Sequence, residues 1–175
     1  MVSMWVALML AAGSGPVPAP PGQSSEVVLV LDTSCSMAVP FQTDQGKTLP
    51  PNDPDRAAVL GVEIVQGLTK GSGDAVTVVS FGESQDASPH QSSTPDEVKA
   101  LHYVGGTFFK KPLIEAKSLL DASGRGHKMF VFFTDGAPED LQNPMEGPQT
   151  LGLTPQSPFD TLIIGLYGSD DAKGL

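Results

Sequence analysis

Three oxygen-bearing side chains alternate along one short stretch of the chain: Asp32, Ser34 and Ser36 in the sequence VVLVLDTSCSM, residues 27–37. A carboxylate and two hydroxyls spaced by two residues on a tight loop can converge on one point. Oxygen donors of this kind suit a small hard cation such as Mg²⁺. Two further pieces would complete such a site, and the chain supplies both in order. Thr107 follows Gly105-Gly106 just ahead of a helical segment, and Asp135 follows the apolar run Met129 to Phe133 within Thr134-Asp135-Gly136.

The elements that must position these groups are readable from the same runs. Val27 to Leu31 is short, unbroken and apolar, the pattern of a strand buried on both faces of a parallel sheet, and Met129 to Phe133 repeats it. Asp32 and Asp135 then stand at the carboxyl ends of two strands, where open α/β sheets hold their ligands. The expected fold is α/β: a Rossmann-like, doubly wound, mainly parallel central sheet with helices on both faces and these two strands as central neighbours.

The combination of these three loops resembles the von Willebrand factor type A domain with its metal-ion-dependent adhesion site. That site pairs a D-x-S-x-S loop after the first strand with a threonine on a second loop and an aspartate after a later strand. The resemblance covers roughly Glu26 to Leu175 and maps the five positions onto Asp32, Ser34, Ser36, Thr107 and Asp135. It implies Mg²⁺ or Mn²⁺ as the metal, and a protein partner that presents an Asp or Glu carboxylate to it. Two positions depart from the family pattern: Cys35 stands where glycine is frequent, and Phe108 where a polar residue is frequent. The pattern also expects a final helix after the last strand, which here is absent or only begun before Leu175.

Composition and motif failures narrow the alternatives. A net charge of -10, with ten dispersed Lys and Arg in 175 residues, argues against a nucleic-acid surface. The single cysteine, Cys35, excludes an intrachain disulfide and a multi-cysteine zinc site. Phe41 defeats two enzyme motifs: a C-x5-R phosphatase loop starting at Cys35 needs arginine there, and a phosphate loop ending in Gly46-Lys47-Thr48 needs glycine. A D-x-D phosphatase needs an acid at position 34, where Ser34 stands. No G-x-S-x-G elbow is present. The leading expectation is therefore a non-enzymatic, metal-dependent protein-binding domain. The alternatives are a Rossmann-like metal-dependent phosphoryl-transfer enzyme and a truncated relic without binding activity.

Along the chain, residues 1–25 read as a signal-peptide-like leader followed by a Pro/Gly/Ser linker, and residues 26–175 as the von Willebrand factor type A-like domain. The apolar segment Trp5 to Ala12 is shorter than the ~20 residues of a membrane span and suits the centre of a secretory signal, although no lysine or arginine precedes it. This points to a secreted, periplasmic or extracellular protein; a mispredicted start or a disordered leader is the competing reading. Ala38 to Asp53 reads as an irregular loop. Asp53-Pro54 opens a helix with Asp53 as cap and Pro54 at the first helical position, carrying an apolar stripe of Ala58, Val62, Val65 and Leu68 with Leu60 and Ile64 beside it. Arg56, Glu63, Gln66 and Lys70 fall on the opposite face. Ala75 to Phe81 is the next strand, with a short edge strand near Ala87 to Gln91. Thr94-Pro95-Asp96-Glu97 is a capping box. Thr107 also reads as the N-cap of a helix over Phe108 to Ala122 that buries Leu113, Ala116 and Leu120. The five prolines between Ala137 and Pro158 leave room only for a short helix around Glu139 to Gln142 or near Thr150. Phe159 to Tyr167 is the last strand.

Overall fold

Strands that are apolar on both sides must be covered on both sides, and the chain meets this with one sheet and helices above and below it. The computed structural model describes residues 5–10, 24–42, 46–84, 88–135, 139–141 and 159–167. In chain order the elements are β1 (Trp5–Leu10), β2 (Ser25–Asp32), α1 (Cys35–Ala38), β3 (Phe41–Gln42), β4 (Thr48–Leu49), α2 (Ala57–Thr69), β5 (Ala75–Phe81), β6 (His90–Ser92), α3 (Pro95–Lys99), α4 (Lys110–Ala122), β7 (His127–Thr134) and β8 (Asp160–Tyr167). Among the described residues the main sheet runs β1-β8-β7-β2-β5-β6. The four inner strands are parallel, and β1 and β6 close the two edges antiparallel.

The period of two along each strand divides the core into two layers. Val27, Leu29 and Leu31 of β2 join Val78, Val131 and Phe133 beneath α2 and α3, whereas Val28 and Val30 join Val79, Phe130 and Phe132 beneath α4. As expected, β2 and β7 are central neighbours, with Val27 opposite Met129 and Leu31 opposite Phe133. Burying each such side chain contributes about 1.5–3 kcal/mol. On the α4 side the Phe109 ring meets Phe132 and Phe81 edge-on, at centroid distances of 4.8 and 5.6 Å. Phe109 directly follows Phe108 and Thr107, so this packing anchors the entry to α4.

Several local expectations are corrected. The helix expected to open at Pro54 begins at Ala57, because Asp53 through Arg56 form a turn. Asp53 still caps it from further upstream, its carboxylate accepting from Ala57 N at 2.6 Å and Ala58 N at 2.9 Å. The inward line of α2 runs Ala58, Val59, Val62, Gln66. Leu60, Ile64 and Leu68, at i, i+4 and i+8, consequently turn to solvent, with exposures of 57, 53 and 79%. Gln66, expected outside, is buried. Ala38 to Asp53 is not wholly irregular, since it holds the small β3–β4 hairpin. The edge strand expected near Ala87 to Gln91 is β6, His90–Ser92, and residues 85–87 lie outside the described residues. The capping box at Thr94 forms as expected, Glu97 N donating to Thr94 Oγ1 at 3.3 Å and Thr94 N to Glu97 Oε2 at 3.0 Å.

Trp5–Leu10, within the stretch read as a leader, runs antiparallel along β8. Glu139 to Leu141 are not helical. The position near Thr150 and the final helix expected after Gly168 lie outside the described residues.

Candidate metal site

Because the chain leaves β2 toward β5 on one side and returns to β7 on the other, the strand order reverses between β2 and β7. Crevices form at such switch points, at the carboxyl edge of the sheet. Asp32 ends β2, and Asp135 directly follows β7. Asp32 is fully buried, its Oδ1 accepting from Ser34 N at 2.8 Å and its Oδ2 from the Thr134 hydroxyl at 2.7 Å. The Ser34 and Ser36 hydroxyls are 3.2 Å apart. Asp135 is also buried; its Oδ2 accepts from the Asn52 amide at 2.9 Å, while its Oδ1 is buried without a hydrogen-bond partner.

The Thr107 loop is fastened to the other two. Cys35 N donates to Gly105 O at 3.2 Å, and Val104 N to Thr33 O at 2.8 Å. Gly105 has φ +71, and a β-carbon there would overlap the Gly82 and Glu83 carbonyls, so only glycine fits this approach. From the Asp135 side, Glu139 N donates to Thr107 O at 2.8 Å and Thr107 N to Glu139 Oε1 at 2.9 Å. Asp140 accepts from Phe109 N at 2.8 Å and Lys110 N at 2.9 Å. Asp140 is therefore the cap of α4, and Thr107, expected in that role, lies two residues before the N-cap position held by Phe109. The Asp140 carboxylate at this helix N-terminus suits its unsatisfied N–H groups and positive dipole end.

Arg56 adds a third fastening at the price of strain. It is the one non-glycine residue with positive φ among the described residues, at 54°. Its guanidinium donates to Lys99 O at 3.2 Å and Leu101 O at 3.1 Å, and lies 4.8 Å from the centroid of the Tyr103 ring. The start of α2 is thereby tied to the segment that leads into Gly105.

The electrostatics of the site are those of uncompensated negative charge. Burial, and then the neighbouring Asp135 charge, push Asp32 up to about 6 despite the hydrogen bonds from Ser34 and Thr134. Burial likewise raises Asp135, opposed by the Asn52 amide and the Ser36 hydroxyl. A cation between them would relieve both costs, and the bare Asp135 Oδ1 is an available donor. The donor set is carboxylate and hydroxyl, and among the described residues no group of three or more His, Cys, Asp or Glu forms a separate metal cluster. This chemistry fits Mg²⁺ or Mn²⁺ and does not fit zinc.

Thus the structure brings Asp32, Ser34, Ser36 and Asp135 to one edge and holds the Thr107 loop against it. Sequence reasoning missed Asn52, Glu139 and Asp140. Asn52 stands far from both aspartates in sequence, in a PNDPD stretch whose signal is helix opening, and nothing local marks it as a partner of Asp135. Beside the first loop lies a cavity of about 640 Å³, reached by Thr33, Glu83, His90, His102, Phe108 and Lys111.

No family model matches the chain, and no curated protein matches it at a significant level. Solved structures do match its fold. The vWF domain of the type V pili tip protein Mfa5 from Porphyromonas gingivalis aligns with 66% of this chain at TM-score 0.50 and 22% identity. The conserved hypothetical protein BatB from Bacteroides thetaiotaomicron aligns with 80% at TM-score 0.53 and 16% identity. The chain spans 39% and 65% of those two structures, less than two thirds of either. With a mainly parallel sheet, helices on both faces and this strand order, the chain is a von Willebrand factor type A-like domain in fold.

Proposed function

We propose that this domain is a non-enzymatic interaction module that holds Mg²⁺ or Mn²⁺ through Asp32, Ser34, Ser36, Thr107 and Asp135 and binds a protein partner through an Asp or Glu carboxylate. The observation that carries the reading is the buried, partnerless Oδ1 of Asp135 beside a second buried carboxylate, Asp32. Such an arrangement is costly without a counter-charge. Bound there, the metal supplies an electrophilic position that an outside oxygen can fill.

The residues shape what that position prefers. Ser34, Ser36 and Thr107 are neutral donors, so the cation keeps net positive charge unless Asp32 and Asp135 both ligate it directly. Asp32 has both oxygens engaged, by Ser34 N and the Thr134 hydroxyl, which leaves Asp135 as the carboxylate with a bare oxygen. An incoming carboxylate supplies both a ligand and a charge, whereas a neutral carbonyl supplies only the ligand. The same engagement of Asp32, together with its full burial, disfavours it as an attacking nucleophile. This weighs against the phosphoryl-transfer alternative. The neighbouring cavity offers a concave place for partner side chains that flank the carboxylate.

We place the domain at the cell surface or outside the cell, in keeping with the pilus tip origin of the Mfa5 domain whose fold it shares. Among the described residues no helix is long and apolar enough to cross a membrane. The test is affinity capture from the source cells in Mg²⁺ and in EDTA, with Asp32→Ala and Thr107→Ala as controls. Partners retained in Mg²⁺ and lost in EDTA and in both variants support the reading. Partners retained equally in all four would show that another surface binds them.

A further inference from the structure

Asn52 belongs to no ligand position, yet it is the residue that fixes the orientation of one. It is buried, and its amide donates to Asp135 Oδ2 at 2.9 Å across 83 residues of sequence. Its own position is set from the first metal loop. Asn52 N donates to Ser36 O at 2.9 Å, and the next residue, Asp53, donates its N–H to Met37 O at 2.7 Å. Asp53 is fully buried and closes the start of α2 with its carboxylate. Asn52 thus hangs from Ser36 by its backbone and holds Asp135 by its side chain, so that the D-x-S-x-S loop and the Asp135 loop cannot move independently.

A carboxylate can turn about its Cβ–Cγ bond and present either oxygen. With Oδ2 committed to the Asn52 amide, Oδ1 is the oxygen left without a partner. We propose that Asn52 is a positioning residue of the metal site, holding Asp135 so that Oδ1 is presented to the cation and keeping that oxygen in register with Ser36. The inference rests on the metal-binding reading above and goes beyond it, because it assigns a role to a residue outside the D-x-S-x-S, threonine and aspartate set. Groups that orient a ligand in this way are typically worth about 10–100-fold in metal affinity.

The experiment measures Mn²⁺ binding to the purified full chain by electron paramagnetic resonance, with Mg²⁺ competition, for the unmutated protein, Asn52→Ala, Asn52→Ser and Asp53→Asn. Asp53→Asn weakens the same turn and the start of α2 but leaves the Asn52 amide in place, so it reports what simple loosening does. Metal-free thermal melts of each variant accompany the titrations. The expected result is a loss of about 10–100-fold in Mn²⁺ affinity for Asn52→Ala, a smaller loss for Asn52→Ser, whose shorter hydroxyl retains a donor, and less than threefold for Asp53→Asn. If the unmutated chain binds Mn²⁺ and Asn52→Ala binds within twofold of it, the positioning role is overturned while the metal site stands. Equal losses in Asn52→Ala and Asp53→Asn at matched melting temperatures would also overturn it, by reducing Asn52 to a structural part of the turn. If the unmutated chain takes up no Mn²⁺, the metal-binding reading itself fails, and this inference with it.

Discussion

Asp32→Asn should stabilise the metal-free protein at neutral pH while removing its response to Mg²⁺. Burial, and then the Asp135 charge, disfavour the ionised form of Asp32 and push it up from 3.8 to about 6. An acid whose pKa is raised by folding binds its proton more tightly in the folded state. Folding stability is therefore greatest below the unfolded pKa, falls as pH rises from about 4 to about 6, and stays low above that. Moving Asp32 from 3.8 to about 6 corresponds to about 3 kcal/mol, and Asp32 has no exposure to screen it. Asp135 is raised by its own burial and acts in the same direction. Asp74 and Glu97 are lowered and act in the opposite direction, the stability they contribute being lost as pH falls through the ordinary carboxylate range. Asparagine keeps an acceptor for Ser34 N, and its amide can donate to the Thr134 hydroxyl, so the substitution removes the charge and spares the hydrogen bonds. For a chain of this length 3 kcal/mol corresponds to roughly 6–12 °C in melting temperature. The assay is thermal unfolding in EDTA and in millimolar Mg²⁺ at pH 4.5 and 7.5. The unmutated chain should melt lower at pH 7.5 than at 4.5 in EDTA, and Mg²⁺ should restore the difference. Asp32→Asn should lose the Mg²⁺ response, keep only the part of the pH dependence that Asp135 contributes, and melt higher in EDTA at pH 7.5. An unmutated chain whose metal-free stability rises across this window, or an Asp32→Asn protein that melts lower in EDTA at pH 7.5, refutes the electrostatic account.

Thr107→Ala should leave the EDTA melt nearly unchanged and abolish the Mg²⁺-induced gain, which reaches about 2.7 kcal/mol when the free metal is a hundred times its dissociation constant; an undiminished gain removes Thr107 from the ligand set. Asp53→Ala strips the acceptor from Ala57 N and Ala58 N, and should cost about 1–2 kcal/mol by denaturant titration. A change below about 0.3 kcal/mol would mean that the turn, not the carboxylate, holds α2. Gly106→Ala puts a β-carbon 2.5 Å from Glu139 Oε1, which should displace that carboxylate from Thr107 N and weaken Mn²⁺ binding; unchanged affinity would show that the Thr107 loop holds its place without Glu139. Leu60→Lys with Ile64→Lys replaces two side chains of the exposed apolar line of α2. The pair should alter stability by less than about 1 kcal/mol and reduce self-association in sedimentation. A chain that is monodisperse before the substitution shows that the line is not adhesive.

What the sequence disclosed follows from the range of the interactions involved. The central strands were legible because burial on two faces leaves a local mark, an apolar run of five residues, and Val27 to Leu31 and Met129 to Phe133 carry it without interruption. The capping box at Thr94 was legible for the same reason, since its two partners stand three residues apart. The surface of α2 was not. Periodicity identifies a helix with an apolar side, but Leu60, Ile64 and Leu68 compete with Ala58, Val59 and Val62 for that side. The winner is set by the sheet below, where Gly61 comes close to the Phe133 ring and Val62 has no exposure left. The candidate site divides along the same line. Asp32, Ser34 and Ser36 announce themselves by local alternation, and Thr107 and Asp135 by standing at the ends of recognisable runs. Asn52, Glu139, Asp140 and Arg56 carry no such mark, because each acts on groups 30 or more residues away in sequence. They nevertheless decide the geometry. Asn52 joins the first loop to Asp135, Glu139 and Asp140 join the Asp135 side to the Thr107 loop, and Arg56 joins the start of α2 to the approach to Gly105. On the proposed reading, the identity of the metal ligands can therefore be written in a few motif positions while their placement is spread over residues outside that set. A domain that kept all five motif residues and lost these fastenings should retain the motif and lose the affinity.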